Sequence, residues 1–533
     1  MFRMNHPSRA AQNILFIMCD QLRWDYLSCY GHPHLTTPNI DRLAARGMRF
    51  DRAYVQSPIC GPARMCCYTG RYMSSHGALW NGDPLPLSEI GFGEFLADAG
   101  MRTLLVGKTH AAPDRDGMAR LGVDPASRAG VLAAQCGFEP YERDDGLHPD
   151  PIVDPNLRYN QYLRAMGYEE ANPWDRHANG AVDDAGGHLS GWLLRHARKP
   201  AAVAAEHSET AYMTDRAMAC IREMGDAAWC IHLSYIKPHW PYIAPAPYHK
   251  LYGDDAVLPA VRNAAERADP HPVYAAFMDA RYSRVFADEQ VRRDVVGAYM
   301  GLVKQIDDQI GRLLAFLEEG GYMENTLLVF TSDHGDYLGD HWLGEKDLFH
   351  EPSVRVPLII YDPSPAADAT RGAVETRLVE SIDLAPTFLD VVGAPPQAHR
   401  LEGRSLLPLL HGAPPPDWRD ATFSEIDYAG RPPRETLGLA FEDCRAYMVR
   451  TDRWKYILHE RFRPQLFDLR HDPDEFVDLG ADPGYTSVRA ELHERLFTWL
   501  RRRKRGITMP LDRLPDRRSD AQDRELGILI GYW

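Results

Sequence analysis

Short apolar runs punctuate the chain, and each ends in polar, titratable residues. Asn13 to Cys19 reads NILFIMC and breaks at Asp20-Gln21. RTLLVGKTH (Arg102 to His110), WCIHLSY (Trp229 to Tyr235) and TLLVFTSDHGD (Thr326 to Asp336) have the same shape. Continuous rather than alternating apolar residues predict strands buried on both faces, as in a parallel sheet. Between them, Val295, Val296, Tyr299, Leu302, Val303, Ile306, Ile310, Leu313, Leu314 and Leu317 recur at helical spacing. They predict a helix over 294–319, stopped by Gly320-Gly321. Strands alternating with helices predict an α/β fold with a largely parallel, doubly wound sheet. Ligands of such sheets bind beyond the carboxyl ends of the strands, so the polar clusters are expected to form one site.

The stretch 111–199 is rich in Pro, Asp and Gly with weak periodicity, and is expected to form loops over that edge. Gly393 to His399 and Gly412 to Trp418 are the best linker candidates. Beyond them, 446–460 and 465–479 read as short antiparallel strands followed by a helix. The chain therefore divides into a catalytic domain over residues 1–410 and a small antiparallel-sheet and helix unit over 411–533. Arg501 to Arg505 (RRRKR) closes an amphipathic helix and is expected to be a solvated C-terminus, favourably placed for the helix dipole. The apolar tail Asp523 to Trp533 is expected to dock, either on its own fold or on a neighbouring subunit of a homo-oligomer.

Composition narrows the setting. A chain of 533 residues with 44% hydrophobic and 25% charged residues is ordinary globular protein with a large core. Its net charge of -15 disfavours nucleic acid and acidic membranes, so an anionic substrate would need a locally positive pocket. No apolar stretch is long enough to cross a bilayer, and the N-terminal apolar run is too short for a secretory segment. Nine cysteines are sparse for this length, and a reduced, cytoplasmic setting is expected.

Asp20-Gln21 and Asp333-His334 offer oxygen and imidazole ligands for a divalent cation. Either pair alone could instead cap a helix or open a turn; two pairs converging on one edge favour a metal. Arg64, Lys108, His110, Lys237, His239 and Lys346 flank the same clusters. Convergent cations beside a metal are what a dianionic tetrahedral group requires, and sulfate and phosphate esters are the candidates. Cys60, Cys66 and Cys67 lack the spacing of a zinc site. Cys66 and Cys67 fall inside a helix expected to begin near Pro62, where burial argues against a redox role. Cys60 sits just ahead of that helix, where the dipole favours an anionic thiolate. A lone cysteine nucleophile stays open, although a thiolate is an odd partner for a metal held by hard oxygens.

These residues resemble the type I sulfatases. CGPAR (Cys60 to Arg64) matches their Cys-x-Pro-x-Arg signature, with TGR (Thr69 to Arg71) at the expected offset. GMRTLLVGKTH (Gly100 to His110) is similar to their second signature, and KPHWPY (Lys237 to Tyr242), Ser332 to Ile360 and Leu466 to Leu479 also match in order. The resemblance covers nearly the whole chain and implies an alkaline-phosphatase-like fold. It implies that a maturation system oxidises Cys60 to formylglycine, whose hydrate replaces the thiol with an oxygen suited to Ca²⁺, Mg²⁺ or Mn²⁺. One hydroxyl would attack the sulfur or phosphorus, and loss of the other's proton would expel the anion as the aldehyde re-forms. Asp20, Gln21, Asp333 and His334 would hold the metal with residue 60, and Arg64 would orient the hydrate. Lys108, Lys346 and His239 would bind the ester oxygens, one of them protonating the leaving group, and His110 would assist aldehyde re-formation. Asn81 and Lys237 would contact the substrate.

Two departures bear on the substrate. Asp20-Gln21 replaces the usual Asp-Asp pair and resembles the branch of phosphonate monoester hydrolases and their promiscuous arylsulfatase relatives. Lys108 and His110, however, stand where those phosphonate hydrolases carry Tyr and Thr, and look like a sulfatase. Cys67-Tyr68 replaces an aliphatic pair, read as a packing variation. The expected function is hydrolysis of aryl or alkyl sulfate monoesters. Its rivals are a phosphonate monoester hydrolase or phosphodiesterase with the same apparatus, and an anion-binding protein with unmodified Cys60.

Overall fold

The computed structural model describes residues 11–146 and 157–510. The tail from Asp523 to Trp533 lies outside the described residues. The main sheet is built from β1 (Asn13–Asp20), β2 (Met48–Tyr54), β3 (Arg102–Gly107), β4 (Glu139–Arg143), β5 (Trp229–Pro238), β6 (Thr326–Ser332) and β7 (Arg355–Tyr361). Its spatial order is β2-β7-β6-β1-β5-β3-β4, with the short segments Val374–Glu375 and Val379–Glu380 also paired to β2. Every pairing is parallel except those of β7, which runs antiparallel to β6 and β2. A second sheet of β8 (Ala421–Asp427), β9 (Arg445–Thr451), β10 (Trp454–His459) and β11 (Gln465–Asp468) is wholly antiparallel. The expected α/β class with a smaller antiparallel sheet is what the chain forms.

The apolar runs behave as their composition requires. Along β1, Ile14, Phe16 and Met18 enter one core while Leu15, Ile17 and Cys19 enter the other. β6 divides likewise, with Leu327 and Val329 on one face and Leu328 and Phe330 on the opposite one. Three helices set the layers: α1 (Cys60–Thr69), α2 (Glu209–Met224) and α3 (Glu289–Glu319). Met213, Ala217, Val295, Val296, Val303 and Ile306 bring α2 and α3 onto the second face. α3 begins earlier than its apolar period indicates, because the Asp288 carboxylate accepts from the Gln290 and Val291 N–H groups at 2.9 and 3.2 Å. A third, smaller core lies under the antiparallel sheet, where Leu492, Leu496 and Trp499 of α4 (Thr486–Arg501) meet Val449 and Leu466.

Two expectations need correction. The described part of the stretch 111–199 carries more regular structure than expected among its loops: it contains helices at Arg115–Leu121, Arg128–Ala133 and Arg158–Ala165, the sheet-edge strand β4, and a hairpin of Gly180–Val182 with His188–Ser190. Elements of one or two turns repeat too few times for periodicity to show. The 501–505 run is only partly solvated. Arg503 lies over the Tyr72 and Trp499 rings at 4.1 and 4.2 Å and pairs with Glu402 at 3.2 Å, while the Lys504 ammonium donates to backbone carbonyls of Ala398 and Leu401. Aromatic surface next to a buried carboxylate outcompetes water for these cations. Among the described residues, no helix is long and apolar enough to cross a membrane.

Gly107 closes β3 where the chain must turn into the site. Its φ is +110°, and a Cβ there would lie 2.0 Å from the Ser234 carbonyl oxygen of β5. Gly107→Ala is expected to cost about 2 kcal/mol or more in denaturant unfolding, with an unchanged m-value; a loss within about 0.5 kcal/mol would contradict this packing.

Candidate active site

Parallel register assembles the site. Cys19 of β1 pairs with Ser332 of β6, so the next residues, Asp20 and Asp333, emerge side by side. Both are buried, at 0% and 2% exposure. A register shift between β1 and β5 sets Asp20 opposite Pro238, bringing up the loop that carries His239. Lys108 and His110 follow β3, and Lys346 lies in the long segment after β6.

Two buried carboxylates this close repel, and the chain answers with cations. Arg64, fully buried on α1, donates through Nε to Asp333 at 2.8 Å and sits 3.4 Å from Asp20 through Nη2. Its remaining N–H groups go to the Lys108 carbonyl at 2.9 Å and the Ser234 hydroxyl at 2.7 Å. The Lys108 ammonium forms a short ion pair with the same Asp20 oxygen, Oδ2. Burial would raise the Asp20 carboxyl, yet Lys108, His239 and Arg64 hold it well below the usual range. Burial alone would lower Lys108, and Asp20 raises it. Both groups stay charged.

Cys60 is the first residue of α1, so the helix starts at the cysteine itself and not at Pro62. Its Sγ lies 3.0 Å from His334 Nε2, 3.3 Å from Lys346 Nζ and 3.7 Å from Asp20 Oδ1. Burial pushes the thiol up, but Lys346, His334, Lys108 and a hydrogen bond from His110 drive it far below its ordinary value. Cys66 and Cys67 share the helix but not the fate of Cys60. They are buried in two different cores, and burial pushes both thiols up, Cys67 to about 12. The environment singles out position 60 for a negatively charged or electron-rich atom.

Ligand atoms of Asp20, Cys60, Asp333 and His334 all lie within 4.8 Å of one another, and all four residues are buried. His334 Nδ1 faces the Gly335 carbonyl at 2.9 Å, which assigns a proton there and turns Nε2 toward the cluster. Burial would lower this imidazole, but Asp333 and Cys60 raise it to about 9, showing how strongly the cluster attracts positive charge. Gln21 adds an amide oxygen nearby. Its backbone is left-handed (φ 66°), its N–H donates to Asp333 at 3.0 Å, and its carbonyl accepts from Tyr299 at 2.8 Å. Its side-chain nitrogen donates to Asp336, while Oε1 accepts from Lys346 at 2.9 Å. Carboxylates, an amide oxygen and one imidazole fit a hard divalent cation; the sulfur alone does not, and an oxygen at position 60 would complete the set.

The remaining predicted residues divide. Lys346 spends its three donors on Gln21 Oε1, Cys60 Sγ and, at 3.3 Å, His239 Nε2. His239 donates Nδ1–H to the Trp240 carbonyl at 2.7 Å, and burial, opposed by Asp20, lowers it to about 4. His110, also left-handed (φ 59°), is anchored by its backbone N–H to Asp145 at 3.0 Å. Asn81 accepts from the Gly61 N–H at 2.7 Å, holding the first turn of α1 beside Cys60. Lys237 is engaged within the protein: its ammonium donates to Asn179 at 3.0 Å and to the Pro241 carbonyl at 2.9 Å, and burial lowers it to about 8. It fastens the loop bearing His239. Sequence reasoning assigned nothing to Asp336, Asp145, Ser234 or Tyr242, which orient Gln21, His110 and Arg64; the Tyr242 hydroxyl donates to Asp336 at 2.6 Å. Asp336 and Tyr242 stood inside quoted motifs, but only the folded geometry reveals what they hold.

The chain is similar to known proteins along most of its length. A family model described as Sulfatase matches residues 12–394, and one described as the C-terminal region of N-sulphoglucosamine sulphohydrolase matches 339–502. The multifunctional alkaline phosphatase superfamily protein PehA of Trinickia caryophylli is 32% identical over 519 residues, covering 92% of this chain and 95% of that one. An arylsulfatase of Clostridium perfringens is 28% identical over 521 residues, covering 93% and 96%. Among solved structures, the phosphonate monoester hydrolase of Silicibacter pomeroyi superposes with a TM-score of 0.80 at 28% identity, covering 93% of this chain and 96% of that one. That of Agrobacterium radiobacter gives 0.79 at 29%, covering 92% and 95%. With Cys60, Arg64 and the Asp20–Asp333 pair gathered at one sheet edge and the family matched across most of its length, the chain belongs to the sulfatase family of the alkaline phosphatase superfamily.

Proposed function

We propose that the protein hydrolyses sulfate monoesters at this cluster, with Cys60 converted to formylglycine. The observation that carries the reading is the surroundings of Cys60 Sγ: His334 and Lys346 within 3.3 Å, and two buried carboxylates beside it. In the mature protein, the Sγ position would be taken by an oxygen of the aldehyde hydrate. That hydrate supplies a hydroxyl nucleophile and a second hydroxyl whose deprotonation releases the product anion. A divalent cation held by Asp20, Gln21, Asp333, His334 and residue 60 supplies positive charge that polarises the ester.

The chain's own residues do the rest. Arg64 fixes both carboxylates in place. Lys346 and Lys108 offer ammonium groups to the ester oxygens, giving the local positive field that a chain of net charge -15 needs for an anionic substrate. His239 Nε2, kept neutral by burial, accepts a hydrogen bond from the Lys346 ammonium, and the proton shared by that pair is the one available to the departing alcohol. His110 takes the proton from the hydrate. All nine cysteines stand as free thiols, in keeping with a reducing, cytoplasmic setting and with a dedicated maturation system acting on Cys60 alone.

Gln21 and the likeness to two phosphonate monoester hydrolases favour one second reading, in which the same residues cleave phosphonate monoesters or phosphodiesters. Comparing kcat/KM on 4-nitrophenyl sulfate and 4-nitrophenyl phenylphosphonate separates them. The lead reading expects the sulfate to be preferred, and a phosphonate preference of about tenfold or more (1.4 kcal/mol) overturns it. Asp333→Asn is expected to lower metal content per chain, measured by elemental analysis, and to lower turnover by roughly 100-fold or more; full metal occupancy in that variant would remove Asp333 from the ligand set.

A further inference from the structure

Beside the cluster lies a surface that ester cleavage leaves unused. A cleft of about 640 Å³ opens between the 191–195 segment, the Trp240–Tyr242 stretch and the chain from Arg281 to Val291. Its size suits an organic body rather than an inorganic anion. It adjoins the site at three places. Trp240 follows His239 directly, with ring centroids 4.4 Å apart. Glu345 precedes Lys346, and Tyr242 donates to Asp336, the carboxylate that holds Gln21.

The walls are aromatic and fixed. Trp192 meets Trp240 edge to face at 5.8 Å, and its indole N–H donates to Asp175 at 2.7 Å, so the ring is pinned. Phe286 is buried on the opposite wall, while Leu193 and Val285 remain 43% and 36% exposed. Apolar side chains left open along one cleft mark a binding surface.

Its rim carries an excess of positive charge, three arginines against two carboxylates. Of the carboxylates lining the cleft, Asp288 is engaged in capping α3, and Glu345 lies 3.6 Å from Arg431. Arg281 and Arg284, at the two ends of the short Arg281–Arg284 helix, are exposed and have no acidic partner among the described residues. Arg195 adds a third guanidinium, in contact with its neighbour His196. Aromatic walls bind a flat ring, and free arginines at an exposed rim attract an anion.

Resting on the reading of the cluster as an ester hydrolase, we propose that this cleft receives the alcohol part of the ester. It favours leaving groups with a fused aromatic body that carry their own anionic group at the end remote from the ester. Calorimetric titration with 2-naphthol and 6-hydroxynaphthalene-2-carboxylate tests the cleft without needing turnover. The unaltered protein is expected to bind the carboxylate roughly fivefold tighter at low ionic strength, a preference that fades as salt rises. The double variant Arg281→Glu, Arg284→Glu is expected to lose that preference while keeping its affinity for 2-naphthol and its kcat on 4-nitrophenyl sulfate. Trp192→Ala is expected to weaken both ligands. Equal affinities in the unaltered protein, or an unchanged preference in the charge-reversed variant, would overturn the proposal. Discrimination between the two naphthols with no turnover of either sulfate or phosphonate esters would support the cleft's selectivity and overturn the hydrolase reading separately.

Discussion

Two buried carboxylates at the ends of adjacent parallel strands are the constraint on which this structure turns. Asp20 and Asp333 present oxygens within 4.8 Å of each other, where like charges repel by on the order of 3 kcal/mol at an effective dielectric constant of about 20. Arg64 spans both, Lys108 joins it at Asp20 Oδ2, and the imidazole of His334 is drawn toward a positive charge. Each is itself buried, so none is a casual surface contact, and losing one partner would strand a charge in the core. The strands feel this too. Because β1 is apolar on both faces, alternation cannot set its register; a slip that drew Asp20 into the sheet interior would bury a carboxylate without partners.

The same constraint explains why three nearby cysteines differ. Cys66 and Cys67 point into two cores, where burial keeps them protonated, and α1 uses them as small apolar side chains. Cys60 occupies the helix's first position, against Lys346 and His334, where negative charge is favoured. Asn81 holds the turn from outside by accepting from the Gly61 N–H. A sulfur sits poorly among hard oxygen donors, whereas an oxygen at the same point would satisfy both the cations and the candidate metal-ligand set.

Much of this was legible in the sequence because strand ends carry the chemistry. The apolar runs at 13–19 and 326–332 located two strands, and the polar residues that break them located the site. The long helix was visible over 294–319, but its true start depended on Asp288, a cap that lies outside the apolar period. The stretch 111–199 hid its elements because each is too short to repeat. Roles that depend on contacts far apart in the chain were not legible. Lys237 reads as one more cation beside His239, yet its ammonium is turned to Asn179 and a backbone carbonyl. Asp336 reads as part of a motif, and only the fold shows it orienting Gln21.

The central claim is that residue 60 works as an oxygen nucleophile and not as a thiolate. Mass analysis of the peptide containing Cys60, from protein purified from its own host, tests this most directly. The account predicts a peptide in which CHO has replaced CH2SH at position 60, with Cys66 and Cys67 intact. An unmodified thiol at position 60 in protein that fully hydrolyses a sulfate ester would contradict it.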